Sequence, residues 1–148
     1  MTNATSGRPN VLFVTIDQWR ADTILDPDRP PGVTPNIDRL RARGVTFRNH
    51  FAQTLPCGPS RASILTGTYL HVHRSVGNGT PLDARFTNLA LEMARAGYEP
   101  SLFGYTDTTA YIRDVPEDDD PRRFTYEGIL PGFTGVVDLT ESLEPWGE

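Results

Sequence analysis

Val11-Leu12-Phe13-Val14-Thr15-Ile16, with Asp17 directly after it, is the stretch on which the fold turns. It is short, apolar, rich in β-branched residues and free of polar alternation, the pattern of a strand buried on both faces of a parallel sheet. Asp17 then falls at the strand's C-terminal end, where open α/β sheets place their ligands. A turn or cap carboxylate would give the same local pattern. At this level Asp17 stands either as a cap or as an oxygen ligand for a hard divalent cation.

Downstream, Thr34-Pro35 marks a helix start, with Thr34 as N-cap and Pro35 at the first position. Ile37 and Leu40 form its apolar face and Gly44 its C-terminal stop. Val45-Thr46-Phe47-Arg48-Asn49-His50-Phe51 alternates enough to predict a second, partly exposed strand. Gly77-Asn78-Gly79-Thr80-Pro81 reads as a turn-rich loop able to bring the Asn78 amide close to a ligand. Residues 87–96 predict a helix with Leu89, Met93 and Ala96 on its buried side and Gly97 as its end. Ser101-Leu102-Phe103-Gly104-Tyr105 predicts one more short strand. The order gives an α/β class: a partial, mostly parallel sheet flanked by helices.

After Arg113 the character changes. Glu117-Asp118-Asp119-Asp120-Pro121 is an acidic breaker run, read as a solvated loop rather than a metal site, and periodicity is weak from there to Glu148. The expected organisation is therefore 1–113 as the patterned part and 114–148 as an acidic, irregular segment.

The bulk properties set limits. A chain of 148 residues with 37% hydrophobic and 22% charged content fits one soluble globular domain. One cysteine excludes an internal disulfide framework, residues 1–10 hold no apolar signal core, and residues 11–16 are too short to cross a bilayer. A cytoplasmic location without a membrane partner is the expectation. The net charge of −5 is uneven: residues 1–113 hold 12 arginines against 9 acids (+3), and residues 114–148 hold 2 against 10 (−8). No basic stripe with interleaved aromatics supports nucleic-acid binding. All 14 basic residues are arginine; there is no lysine.

The single cysteine opens Cys57-Gly58-Pro59-Ser60-Arg61, where a helix pattern starts, continues through Ala62, Ile64 and Leu65 and stops at Gly67. Two readings of Cys57 stand side by side: a small buried hydrophobe, or a reactive sulfur. Pro59 fits the first helical position, Arg61 adds a permanent cation, and Gly58 removes bulk beside the sulfur. A helix N-terminus and a guanidinium would lower the thiol's pKa. His50, His71 and His73 read as packing or surface residues rather than ligands.

Several motifs taken together resemble the start of the sulfatase family of the alkaline phosphatase superfamily. They are Arg8-Pro9-Asn10-Val11 leading to Ile16-Asp17-Gln18, Thr34-Pro35-Asn36-Ile37-Asp38-Arg39-Leu40, Gly44-Val45-Thr46-Phe47, and Cys57-Gly58-Pro59-Ser60-Arg61-Ala62-Ser63-Ile64-Leu65-Thr66-Gly67. The likeness spans about residues 8–105. Gln18 and the stretch from His71 through Asn78 to Tyr105 look most like phosphonate monoester hydrolases and related phosphodiesterases.

The resemblance implies an alkaline phosphatase-like fold and hydrolysis of sulfate esters, phosphonate monoesters or phosphodiesters. It implies that a formylglycine-generating maturation enzyme converts Cys57 to formylglycine, whose hydrate attacks sulfur or phosphorus and later expels the product by re-forming the aldehyde. It assigns Asp17, Gln18 and the Cys57-derived oxygen to a divalent metal, Ca2+ or Mn2+, with Gln18 supplying a neutral amide where many sulfatases place a second aspartate. Arg61 would hold the nucleophile's oxygen, and Asn78 and Tyr105 would contact the small anionic ester. Asp107 stands near a position where relatives offer a neutral hydroxyl, and a carboxylate there would repel an anion unless it faced away.

The family's later motifs, an Asp–His or Asp–Asn metal pair and substrate-binding lysines, have no counterpart here. The chain is accordingly expected to be an N-terminal portion of such a hydrolase, with an incomplete sheet and no activity alone. A homo-oligomer is an expectation for the full-length enzyme. Two rivals are a non-catalytic remnant or complementing fragment that binds a partner, and a thiolate enzyme using unmodified Cys57.

Overall fold

Residues 11–16, expected as a buried strand, form no strand, and neither do residues 45–51. An extended segment becomes a strand only when a neighbour takes its N–H and C=O groups. Among the described residues neither stretch has such a neighbour. Their apolar side chains are accordingly exposed, Leu12 to 88%. Pattern alone identifies a segment fit for a sheet interior; the ladder itself is a non-local property.

The structure, a computed structural model, describes residues 7–26, 28, 33–108 and 128–137. Its elements are α1 (Asp22–Leu25), α2 (Pro35–Arg43), α3 (Cys57–Thr66), α4 (Leu70–His73), α5 (Leu89–Arg95), β1 (Ser101–Phe103) and β2 (Thr134–Val137). They divide into two units, Met1–His50 and Phe51–Glu148. Among the described residues no helix is long and apolar enough to cross a membrane.

In the first unit a turn at Asp17 and Gln18 follows residues 11–16, with Gln18 in the left-handed region at φ 55°. α2 begins as expected, with Thr34 at the N-cap and Pro35 at the first position, although the Thr34 side chain makes no capping bond. Arg41 and Arg43 in the last turn complement the helix dipole. Gly44 ends the helix in an extended conformation rather than the left-handed one. Arg41 also donates to the Ile24 carbonyl at 2.7 Å, tying α2 to the end of α1. Ile37 is half-buried and Leu40 is exposed, so the expected apolar face is only partly covered.

The second unit holds the buried core. Ala62 of α3 packs with Leu82 and Leu130, and Leu65, Phe86 and Phe133 close around them. α3 contacts both α4 and α5. It ends at Gly67 in the left-handed conformation, φ 66°, as the glycine there predicts. α5 is capped by Asn88, which accepts from the Leu91 N–H at 3.1 Å and donates to the Pro131 carbonyl at 3.0 Å. Its buried residue is Ala90; Leu89 and Met93 are half-buried, and the expected Ala96 is exposed just past the helix end. The start of α5 lies against Gly132, where a Cβ would stand 3.0 Å from the Leu91 nitrogen.

β1 is shorter than expected and pairs in parallel with β2, Ser101 opposite Thr134 and Leu102 opposite Gly135, with an irregularity between Leu102 and Phe103. β2 lies in the segment read as irregular, 114–148; residues 114–127 of that segment, with the acidic run, and residues 138–148 lie outside the described ones. The observed architecture among the described residues is a small parallel sheet with helices.

Candidate active site

α3 begins at Cys57 itself, so Pro59 occupies the third helical position, not the first. It remains in the first turn, whose N–H groups have no intrahelical acceptor, and the ring removes no helical bond. The N-cap residue, Pro56, carries no side-chain acceptor. Asn78 takes that role from a remote loop: its Oδ1 accepts from the Gly58 N–H at 2.9 Å. The same amide donates from Nδ2 to the Cys57 sulfur at 3.3 Å. The loop carrying it is closed by Thr80 N–H to the Gly77 carbonyl, 3.0 Å, and by the Thr80 hydroxyl accepting from Gly77 N–H at 3.2 Å.

Gly58 is required by close approach. A Cβ there would sit 3.0 Å from Asn78 Oδ1 and 3.2 Å from the Asp107 carbonyl oxygen. The missing side chain lets two loops converge on the start of α3, which is the physical content of a glycine beside the sulfur.

Arg61 lies one turn after Cys57, on the same helix face. Its Nη1 donates to the Tyr105 carbonyl at 3.3 Å and its guanidinium carbon lies 4.8 Å from the centre of the Tyr105 ring. Its Nε is 3.9 Å from Asp107 Oδ2. Cys57, Arg61, Asn78 and Tyr105, four of the residues expected at the site, thus gather at the first turns of one helix. Asp17 and Gln18 belong to the first unit, where both are exposed.

Asp107 is the residue whose direction the sequence left open. Its carboxylate faces inward, 1% exposed, with one oxygen within 4.8 Å of the Cys57 sulfur. Neither carboxylate oxygen has a hydrogen-bond partner among the described residues. Its backbone is left-handed at φ 57°. The loop is fixed by Thr106, whose hydroxyl donates to the Gly128 carbonyl at 2.7 Å and accepts from the Leu130 N–H at 3.0 Å. A position two residues past Tyr105 in a loop after a strand was the available signal.

This carboxylate reverses the expected state of the thiol. Cys57 is held above the ordinary thiol pKa, first because Asp107 beside it favours the protonated sulfur, then because burial does the same. The Asn78 amide and the Gly58 N–H act in the opposite direction and do not prevail. The expectation that helix start and guanidinium would lower the pKa fails because Asp107 and burial prevail.

His73 is a packing residue, as its context predicts, and 3% exposed. Its Nδ1 accepts from the Ser75 N–H at 3.1 Å, which leaves Nε2 as the protonated nitrogen, 2.8 Å from the Ser63 hydroxyl. Ser63 lies 2.8 Å from Gln53 Oε1, which also accepts from the Leu70 N–H at 3.1 Å. This network fastens α3 to α4 and was not read from the sequence. Burial holds the His73 pKa below its ordinary value. His71 is exposed and stacked on Tyr69 at 5.8 Å, and His50 is exposed with its ring 6.2 Å from Phe47.

Comparison with known proteins identifies the family. The sulfatase family model matches residues 9–134. The multifunctional alkaline phosphatase superfamily protein PehA of Trinickia caryophylli is 47% identical over 143 residues, covering 93% of this chain and 27% of that protein. The crystal structure of the phosphonate monoester hydrolase of Agrobacterium radiobacter superposes with a TM-score of 0.82 at 50% identity, over 88% of this chain and 26% of that one. The phosphonate monoester hydrolase SpPMH from Silicibacter pomeroyi gives 0.78 at 45% identity, over 93% and 27%. The chain therefore spans about a quarter of the length of these relatives. By its motifs, its fold and these matches, the chain belongs to the sulfatase family of the alkaline phosphatase superfamily.

Proposed function

We propose that this chain carries the nucleophile-bearing part of a hydrolase acting on sulfate esters, phosphonate monoesters or phosphodiesters. The observation that carries the reading is the convergence of Asn78, Arg61 and Tyr105 on Cys57 at the first turn of α3. Similarity to the two phosphonate monoester hydrolases supports the phosphorus side of that range.

Conversion of Cys57 to formylglycine would supply an oxygen nucleophile and a release step that needs no water to attack a crowded anion. The surroundings fit such a hydrated aldehyde. Asn78 Nδ2 is aimed at the position of the sulfur and can donate to an oxygen there, while the unpartnered Asp107 oxygens can accept from a hydroxyl. Arg61, held by Tyr105, orients the same face of α3.

Asp17 and Gln18 are the oxygen donors that the first unit offers to a divalent cation, calcium or manganese. A carboxylate and a neutral amide suit a hard cation and not a soft one. When bound, the cation would screen an anionic substrate and activate the nucleophile. The cytoplasmic setting belongs to the same reading.

A second reading, a fragment that complements a separate partner chain, is favoured by the exposed Val11, Leu12, Phe13, Val14 and Ile16. One experiment separates the two. The chain is co-expressed with a formylglycine-generating enzyme and the tryptic peptide of residues 49–61 is weighed. Turnover of aryl sulfate and phenyl phosphonate esters is then measured. Loss of the Cys57 sulfur together with turnover supports the hydrolase; modification without turnover supports the complementing fragment. An unmodified thiol in every preparation defeats the formylglycine route.

A further inference from the structure

We propose that His73 is a positioning residue: it joins the helix that carries residue 57 to the loop that carries Asn78, and so sets the reach of the Asn78 amide to residue 57. Its consequence for catalysis rests on the hydrolase reading; the link itself is tested apart from that reading.

His73 is 3% exposed and uses both ring nitrogens. On one side Nε2 donates to the Ser63 hydroxyl at 2.8 Å, less than two turns along α3 from Cys57. The Ser63 hydroxyl passes its own proton to Gln53 Oε1 at 2.8 Å. On the other side Nδ1 accepts from the Ser75 N–H at 3.1 Å. Ser75, itself buried, donates from its hydroxyl to the Thr80 carbonyl at 2.8 Å. Thr80 closes the turn that holds Asn78, through its N–H to the Gly77 carbonyl and its hydroxyl to the Gly77 N–H. Asn78 then returns to α3 at Gly58 N–H and at the Cys57 sulfur. The bonds form a closed circuit with His73 at the point where its two arms meet.

The circuit is stiff. One arm is a continuous helix, and the other is a turn bonded across its ends. Between His73 and Ser75 the chain passes through Arg74 at φ 59°, a conformation that L residues rarely adopt and that the Nδ1 bond to Ser75 holds in place. The Asn78 contact to the sulfur is 3.3 Å, so a shift of about 1 Å in either arm would break it. A misplacement of that size costs on the order of a hundredfold in a reaction built on such a contact. A side-chain amide can replace only half of the imidazole: Asn is long enough for the Ser75 N–H but not for Ser63, and Gln reaches Ser63 at the cost of the Ser75 bond.

The test is amide hydrogen exchange of the full chain, followed by NMR at two N–H groups. Gly58 N–H is held by Asn78, and Leu91 N–H is held in the same way by Asn88 at the start of α5. Only the first lies on the circuit. His73→Asn, His73→Gln and Ser75→Ala are each expected to speed exchange at Gly58 by about fivefold or more and to leave Leu91 within about twofold. Asn78→Ala sets the ceiling, and His73→Gln added to it is expected to bring no further change at Gly58. Unchanged exchange at Gly58 in a folded variant overturns the proposal. So does an equal rise at Gly58 and Leu91, which would make His73 a general support of the fold, or further acceleration in the double variant. Ser75→Ala, which removes one oxygen, decides the matter if neither His73 variant folds. Exchange is read without turnover, so a chain that shows this pattern yet cleaves no ester counts against the hydrolase reading alone.

Discussion

The Asn78 side-chain amide bridges the backbone and the sulfur at the start of α3: it accepts from the Gly58 N–H at 2.9 Å and donates to the Cys57 sulfur at 3.3 Å. One planar group thereby fixes its own orientation, since a flipped amide would lose both bonds. It also does for α3 what Pro56 cannot, satisfying an N–H of the first turn. Asn78→Ala should remove a remote helix cap and cost about 1 kcal/mol of stability, with 2 as an upper figure. Urea unfolding of the two proteins measures it. An unchanged midpoint would show that water replaces the amide at no cost.

Gly58→Ala should do more damage than an exposed helical substitution, which would normally gain stability. The added Cβ meets Asn78 Oδ1 at 3.0 Å and the Asp107 carbonyl at 3.2 Å, and the second of these is backbone that cannot rotate away. A loss of about 1–3 kcal/mol is expected, read as a lowered thermal midpoint. Asn78→Ala combined with Gly58→Ala should be less than additive, because the first change removes one of the clashing atoms.

What could be read in advance divides along the range of the interactions. Cys57 and Arg61 were legible because a helix start beside a single cysteine and a permanent cation is a local pattern, and Gly67 because a helix stop is local chemistry. The loop pattern offered Asn78 to a ligand, but its place beside Cys57, like the role of Tyr105, came through resemblance, which carries three-dimensional information that spacing does not. The inward turn of Asp107 depends on Thr106 reaching Gly128 and Leu130, contacts across 22 and 24 residues that no local pattern announces. β2 was missed for the same reason: Thr134-Gly135-Val136-Val137 is too short and glycine-broken to stand out until Ser101 and Leu102 pair with it. Residues 11–16 show the converse, a clear strand pattern with no ladder among the described residues.

The raised Cys57 pKa predicts a sluggish thiol in chain produced without the maturation enzyme. Asp107 favours the protonated sulfur, so the thiolate fraction near neutral pH falls below that of a free cysteine, and alkylation by iodoacetamide should be slower than for glutathione at the same pH. Replacing Asp107 by Asn removes the first cause of the shift and should speed alkylation by roughly twofold or more. Asn78→Ala acts the other way, since its amide favours the thiolate. Opposite signs for these two substitutions are the signature; equal rates in all three proteins would remove Asp107 from the account.

His73 should make stability depend on pH on the acid side. Its ring is buried and neutral, accepting at Nδ1 from Ser75 N–H and facing Ser63 through Nε2, so protonation would cost the Ser75 bond and bury a charge. The folded pKa is depressed, so the unfolded chain binds the proton first. This contribution is full above the unfolded pKa of about 6.5 and is lost as pH falls below it toward the folded value, with a slope of at most about 1.4 kcal/mol per pH unit. His73→Gln should flatten the fall in stability between about pH 7 and pH 5, at the expense of a lower value at neutral pH. Denaturation midpoints across that range test it, and an identical slope in both proteins would place the acid sensitivity elsewhere. Because His73 fastens α4 to the helix that carries Cys57, loosening this pair is also a route by which acid would disturb the site without touching any group in it.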